Sequence, residues 1–203
     1  MKILFLLTQD LESPTGVGRY QPLAKYLAQR GHQVTIAALH PNFSNLVIKS
    51  FFVDKVQVHY VAQMQVLKQN NQKIYFPPYK LIYHVVKATV ELTRIALSTP
   101  ADIIHIGKPH PMNSIAGLLA RQFKNTSLFL DYDDYEAASG HFKNKWQKKI
   151  VQLFEDWVPH RADHVTTINE FLKKRLLGHG MPEKKITFLP NGVDPDRFPP
   201  GHL

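Results

Sequence analysis

Short continuous apolar runs alternate with segments of helical period along almost the whole chain, and this alternation constrains the fold most. Residues 2–7 are a run of strand length, as expected for a parallel strand covered on both faces. Val17, Tyr20, Leu23, Ala24 and Leu27 then recur at helical spacing, and Gly31 supplies a C-terminal stop. Residues 34–39 predict the second strand, and residues 51–61, rich in Phe and Val, one or two more. The polar stretch 63–78, closing in Pro77-Pro78, reads as a loop. A helix is expected from Tyr79 to Leu97, with Ile82, Val85, Val86, Val90 and Leu97 facing the core. Strands over 102–106, 128–131, 164–168 and 186–189 alternate with helices over 112–123 and 146–158 and one capped by Asn169, running to about Leu177. The pattern predicts a Rossmann-like α/β domain: a mainly parallel sheet with right-handed crossovers and helices on both faces. That domain is expected to occupy residues 1–190, and the cluster of Pro195, Pro199, Pro200 and Gly201 marks 191–203 as the start of a linker.

Composition narrows the function classes. At 203 residues, 44% hydrophobic and 20% charged, the chain suits one soluble domain with a real core. It has no cysteine, which excludes disulfides, thiolate metal sites and cysteine nucleophiles together. The first apolar run stops at Thr8-Gln9-Asp10, too short for a signal peptide, and no stretch approaches the ~18 apolar residues of a membrane span. A cytoplasmic location is expected. The net charge of +9 is compatible with nucleic acid, an anionic membrane surface, phosphorylated substrates or simple solubility. The Lys and Arg residues are scattered and no nucleic-acid motif occurs, so a nucleic-acid partner is not expected.

In such a sheet ligands bind outside the carboxyl ends of the strands, so the loops 8–18, 40–45, 107–112 and 131–141 carry the functional reading. The first contains Gly16-Val17-Gly18-Arg19. Its glycines would let the backbone approach a ligand, the helix start would offer N–H groups to an anion, and Arg19 adds charge. A plain helix entry fits the spacing as well. It is neither the dinucleotide Gly-x-Gly-x-x-Gly pattern nor a P-loop, and no acid follows at ribose-binding distance, which argues against a dehydrogenase. In the next loop His105 is expected to point off the strand end, with Lys108 and His110 in the mouth. Two histidines could suggest a metal, but the nearby acid, Asp102, stands at the start of the strand, away from the mouth; hydrogen-bonded structural histidines are the other reading. The third loop holds Asp131, Asp133, Asp134 and Glu136. The EF-hand pattern fails, since Glu136 stands at its glycine position and Phe142 at its final glutamate. Hydrogen bonding to a polyhydroxylated ligand, general-base work beside His105, and a solvated acidic turn remain open.

Segments in order along the chain resemble glycosyltransferase family 4, the retaining enzymes of GT-B type. Arg30-Gly31-His32-Gln33-Val34-Thr35 is similar to the family's helix-to-strand corner. Asp102-Ile103-Ile104-His105 resembles its strand-plus-histidine motif, and Arg161 to Thr167 with Asn169-Glu170 resembles its Ala-Asp step. Leu189-Pro190-Asn191-Gly192-Val193-Asp194 with Arg197-Phe198 resembles its interdomain signature. Two departures stand out: the first-loop glycines are split as Gly16-Val17-Gly18, and Gly107 occupies the place of a second histidine.

The resemblance implies an amino-terminal, acceptor-side domain of an enzyme that moves a sugar from a nucleotide-sugar donor to a sugar or lipid-linked acceptor, with retention and without a required metal or cofactor. Donor or acceptor contacts are expected from Gly16, Gly18, Arg19, His105, Lys108, His110, Asp133 and Glu136, with His105 and Asp133 the catalytic candidates. Asn191, Gly192 and Asp194 fall at the interdomain step. The donor nucleotide is expected on a second domain with a Glu-x7-Glu motif, so residues 1–203 alone should be inactive. A non-catalytic α/β ligand-binding module is the rival reading. The segment 141–150, four lysines around Phe142 and Trp146, together with Lys80, Lys87 and Arg94, suggests peripheral contact with an anionic membrane at its inner face.

Overall fold

The computed structural model describes residues 1–70, 72–140, 142 and 144–192. The chain begins with β1 (Lys2–Leu7), a π-helical turn (Gly16–Tyr20) that runs into α1 (Gln21–Gln29), and β2 (Gln33–His40). A hairpin of β3 (Ser50–Val53) and β4 (Val56–Gln63) follows, then a second of β5 (Val66–Gln69) and β6 (Gln72–Tyr75). The rest alternates: α2 (Pro78–Ser98), β7 (Ile103–Gly107), α3 (Pro111–Phe123), β8 (Ser127–Tyr132), α4 (Glu136–Ser139), α5 (Lys145–Arg161), β9 (His164–Thr167), α6 (Glu170–Gly178) and β10 (Ile186–Phe188).

Eight strands form one sheet in the order β10-β9-β8-β7-β1-β2-β4-β3. Every pairing is parallel except that of β3 with β4 at the edge. The continuous apolar run of β1 is explained by its central place. Leu4 and Leu6 pack beneath Ala88 and Leu92 of α2 and Ala116 of α3, while Phe5 and Leu7 pack with Tyr20 and Ala24 on the α1 side. Leu4, Phe5, Leu6 and Leu7 are fully buried, and truncating any one costs about 2–5 kcal/mol. Helices therefore cover both faces, with α1 on one and α2, α3, α5 and α6 on the other.

Two expectations are corrected here. The stretch 63–78 is not a plain loop. Val66 pairs with Tyr75 and Leu67 with Ile74 in an antiparallel hairpin, turned where Asn70 takes a left-handed φ of 48°. Its tip residues Lys68, Gln69, Gln72 and Lys73 are polar, which conceals the strands from a reading by hydropathy. The helix at 79–97 is present as α2, but its inward face is Ala88, Leu92 and Ala96; Ile82, Val86 and Val90 are each more than half exposed. The helix has apolar residues on opposite sides, so period alone does not choose between them. The small-residue side is the one that meets the sheet and α3 closely.

Candidate functional site

β8, β7 and β1 lie side by side, so the loops after Tyr132, Gly107 and Leu7 share one stretch of the sheet's carboxyl edge. This is where an open parallel sheet holds ligands.

The loop after β1 is tied to itself. The Asp10 carboxylate accepts the N–H groups of Glu12 and Ser13, and the Ser13 hydroxyl donates to the Asp10 carbonyl at 2.9 Å. The Gly16 N–H is directed to Ser13 Oγ at 3.2 Å, so it is not open to the cleft as its sequence setting suggests. Gly16 is required for another reason. A Cβ there would fall 2.1 Å from the Asp10 carbonyl oxygen, whereas a Cβ on Gly18 would meet nothing within 4 Å.

Arg19 also differs from expectation. It is 9% exposed, and its guanidinium grips Asp131 at both ends, Nε to Oδ2 at 2.5 Å and Nη2 to Oδ1 at 2.6 Å. Nη1 donates to Asn191 Oδ1 at 2.8 Å and to the Leu189 carbonyl at 3.3 Å. Thr166 adds a hydroxyl donor to Asp131 at 2.6 Å. Burial pushes the Asp131 carboxyl up, but Arg19, His105 and Thr166 more than reverse this and hold it below the ordinary carboxylate range. Arg19 is therefore a brace joining the first helix, β8 and the chain after β10. Of the expected interdomain residues, Asn191 is in that brace and Gly192 is exposed beside it, while Asp194 lies outside the described residues, as do Arg197 and Phe198.

His105 does not point off the strand end. It is buried, its ring 4.7 Å from that of Phe5, and burial keeps it neutral despite the pull of Asp131. Gly107 is explained by Tyr20: a Cβ would come within 2.8 Å of Tyr20 Cζ and 2.5 Å of Leu7 Cδ2, so no histidine fits there.

The mouth itself is built from the second and third loops. Lys108, at a left-handed φ of 64°, places Nζ 2.7 Å from Glu136 Oε1, 3.7 Å from Asp133 Oδ1 and 3.8 Å from Asp134 Oδ2. Asn113 of α3 fixes that bend by donating to the carbonyls of Leu6, Gly107 and Lys108. Burial raises the Asp133 carboxyl to about 6 against the opposing pull of Lys108, and its Oδ1 is buried without a hydrogen-bond partner among the described residues. His110 shares a hydrogen bond of 2.8 Å between Nδ1 and Thr8 Oγ1, and burial lowers its pKa to about 4. The two histidines thus lie on separate partners and do not converge.

Behind the mouth stands Glu155 of α5, whose carboxylate accepts the N–H of Glu136 at 2.6 Å and of Ala137 at 3.1 Å. It holds the start of α4, and burial raises it to about 7. Sequence reading missed Glu155 and Thr8. Thr8 was legible as the first polar residue after β1, and Glu155 by its helical register with Val151 and Val158. Beside the acids an open pocket of about 220 Å³ is lined by Asp134, Tyr135, Ser139, Asn169 and Phe171.

A family model described as Glycosyltransferase Family 4 matches residues 16–197. Sucrose-phosphate synthase from Thermosynechococcus elongatus superposes with a TM-score of 0.68 at 12% identity, over 97% of this chain and 49% of the synthase. A shorter chain of that synthase gives 0.63 at 15% identity, over 98% of this chain and 93% of the other. A UDP-GlcNAc 2-epimerase from Neisseria meningitidis bound to UDP-GlcNAc gives 0.57 at 12% identity, over 94% of this chain and 46% of the epimerase. At these identities the likeness is one of fold, the Rossmann-like half of a GT-B molecule. The chain spans about half the length of the synthase and of the epimerase. Comparison with curated proteins gives no match.

Proposed function

The chain belongs to glycosyltransferase family 4, and from that premise we propose that it forms the acceptor side of a retaining enzyme's cleft, where a sugar passes from a nucleotide-activated donor to a sugar or lipid-linked acceptor. The observation that carries this reading is the convergence of Lys108, His110, Asp133 and Glu136 on one stretch of the carboxyl edge. Asp133 has the chemistry to take a hydrogen bond from an acceptor hydroxyl: its Oδ1 is buried, 3.7 Å from Lys108 Nζ and without a hydrogen-bond partner among the described residues, and at about 6 its carboxyl is ionised at neutral pH. Burial would raise the Glu136 and Asp133 carboxyls; Lys108 helps to reverse this at Glu136 and opposes it at Asp133, and neutral His110 can share a hydroxyl proton. None of the carboxylates is assigned a nucleophile role.

The donor's diphosphate is assigned to a second domain. Arg19 and Lys108, the cations of these loops expected to meet ligand, are both engaged by carboxylates. The pocket is also open, and at about 220 Å³ it is smaller than the roughly 300–1,000 Å³ of sites that enclose a drug-sized ligand. It has the form of one wall of a cleft. No metal is assigned, since the acids face Lys108.

Residues 1–203 alone are expected to turn over no nucleotide sugar and to bind UDP or GDP weakly. Turnover by this chain alone, or sub-micromolar affinity in calorimetry, overturns the two-domain reading. In the parent enzyme Asp133→Asn should abolish transfer while leaving the fold intact, and undiminished transfer removes Asp133 from the reaction. A parent that binds sugars but never transfers one would make the chain a non-catalytic ligand-binding module.

A further inference from the structure

α2 and α5 each bury one side and expose an apolar stripe on the other. On α2 the stripe is Ile82, Val86 and Val90, opposite the buried Ala88, Leu92 and Ala96. On α5 it runs at i, i+4, i+7 and i+11 through Trp146, Ile150, Leu153 and Trp157, opposite the buried Glu155 and Val158. α3 lies between the two helices and packs against both, so the stripes belong to one layer on one face of the sheet. From Ile82 to Val90 the α2 stripe runs about 12 Å, and from Trp146 to Trp157 the α5 stripe about 16 Å. Apolar surface of this extent is unusual on a soluble domain and marks a docking face.

Charge selects the occupant. Lys80, Lys87 and Arg94 flank the α2 stripe, and Lys145, Lys149 and Arg161 flank that of α5. The acids on these helices are largely accounted for: Glu91 lies 3.7 Å from Arg94, Asp156 pairs with Arg175, and Glu155 is buried. Aliphatic and indole groups edged by cations match the headgroup region of an anionic bilayer, whereas a second copy of this chain, at net charge +9, would bring like charges together. No described helix is long and apolar enough to cross a membrane, so the contact is peripheral.

We propose that the outer face of α2, α3 and α5 docks on an anionic lipid surface. The docking face is wider than the segment 141–150 suggests, and His141 and Lys143 of that segment lie outside the described residues. Docking does not depend on the transferase reading, and its test involves no turnover.

The chain has two tryptophans, Trp146 and Trp157, and both lie on the stripe, so the unmodified protein reports on itself. With vesicles of phosphatidylcholine and phosphatidylglycerol their emission should shift to the blue and be quenched by brominated acyl chains. Binding should be at least about tenfold weaker to phosphatidylcholine alone, and should weaken as salt rises. Ile82→Glu with Val86→Glu should lower partitioning by about tenfold or more, since the exposed side chains contribute through burial in the interface. The same variant should melt at the wild-type temperature. Absence of binding at low salt, binding indifferent to lipid charge, or a stable dimer in solution that buries the tryptophans would each overturn the proposal.

Discussion

Arg19 and Asp131, 112 positions apart, meet in a buried two-pronged ion pair, with Nε on Oδ2 and Nη2 on Oδ1. The pair gains its geometry from three sides: the π-helical turn carries Arg19, β8 carries Asp131, and Thr166 and Asn191 occupy the remaining polar positions. Such a pair adds little over a well-packed apolar pair, but breaking it leaves a buried charge without a partner.

Arg19→Ala should therefore destabilise the fold by about 3–5 kcal/mol, about 10 °C in melting temperature for a chain of this size. Arg19→Lys should rescue little, because an ammonium does not reproduce the fork. Denaturant unfolding measures both. A ligand-contact role would give the opposite signature, lost binding at unchanged stability.

The two glycines of the first loop should behave differently. Gly16→Ala sets a Cβ against the Asp10 carbonyl and forces the loop to move, a cost of about 2 kcal/mol or more. Gly18→Ala has open space inside a helical turn and should stabilise by about 0.5–1 kcal/mol. Equal effects in a pair of thermal melts would contradict the packing at Gly16.

The sheet was legible because burial on both faces writes β1 as an unbroken apolar run after Lys2, and β2 and β7 as runs broken within only by Thr35 and His105, and the Asn169 cap was legible because its side chain accepts the Leu172 N–H within one turn. The site was legible only by edge position. That Lys108, Asp133 and Glu136 share a mouth follows from their strands being neighbours, and the structure groups them. The roles of Arg19 and His105 were not legible: both sit beside glycines and strand ends, as ligand contacts do, and what decides their place is a partner far along the chain, Asp131 for one and Phe5 for the other. The inward side of α2 was hidden for a related reason, since Val86 reads as core until the exposed face is known.

Glu155 should make stability fall with rising pH. Burial holds its carboxyl at about 7 in the fold, against roughly 4.3 in an unfolded chain. The fold binds this proton more tightly, so the stability it contributes is complete below about pH 4 and lost as pH rises towards about 7. Glu155→Gln removes the slope, and its stability relative to wild type should rise by about 2 kcal/mol across that window. His110, with its lowered pKa, contributes a slope of opposite sign in both proteins, which cancels in the difference. Parallel pH profiles in guanidinium unfolding would show that Glu155 titrates normally.

Lys108 combines a charge with a backbone constraint, and two substitutions separate them. Lys108→Ala and Lys108→Gly both remove the cation that faces Asp133, Asp134 and Glu136. Without it Asp133 and Glu136 lose the cation that opposes their burial, and their folded pKa values should lie above the unfolded ones. That penalty is present above the raised values and disappears below them, so both variants should regain stability relative to wild type as pH falls through the carboxylate range. The backbone part is independent of pH. Alanine must hold the left-handed φ of 64° at a steric cost that glycine avoids, partly offset by glycine's freedom in the unfolded chain. Lys108→Gly should accordingly be the more stable variant by about 0.5–1 kcal/mol at every pH. A difference between the two that changed with pH would mean that the bend at Lys108 depends on the ion pairs rather than on the Asn113 amide that bridges its carbonyls.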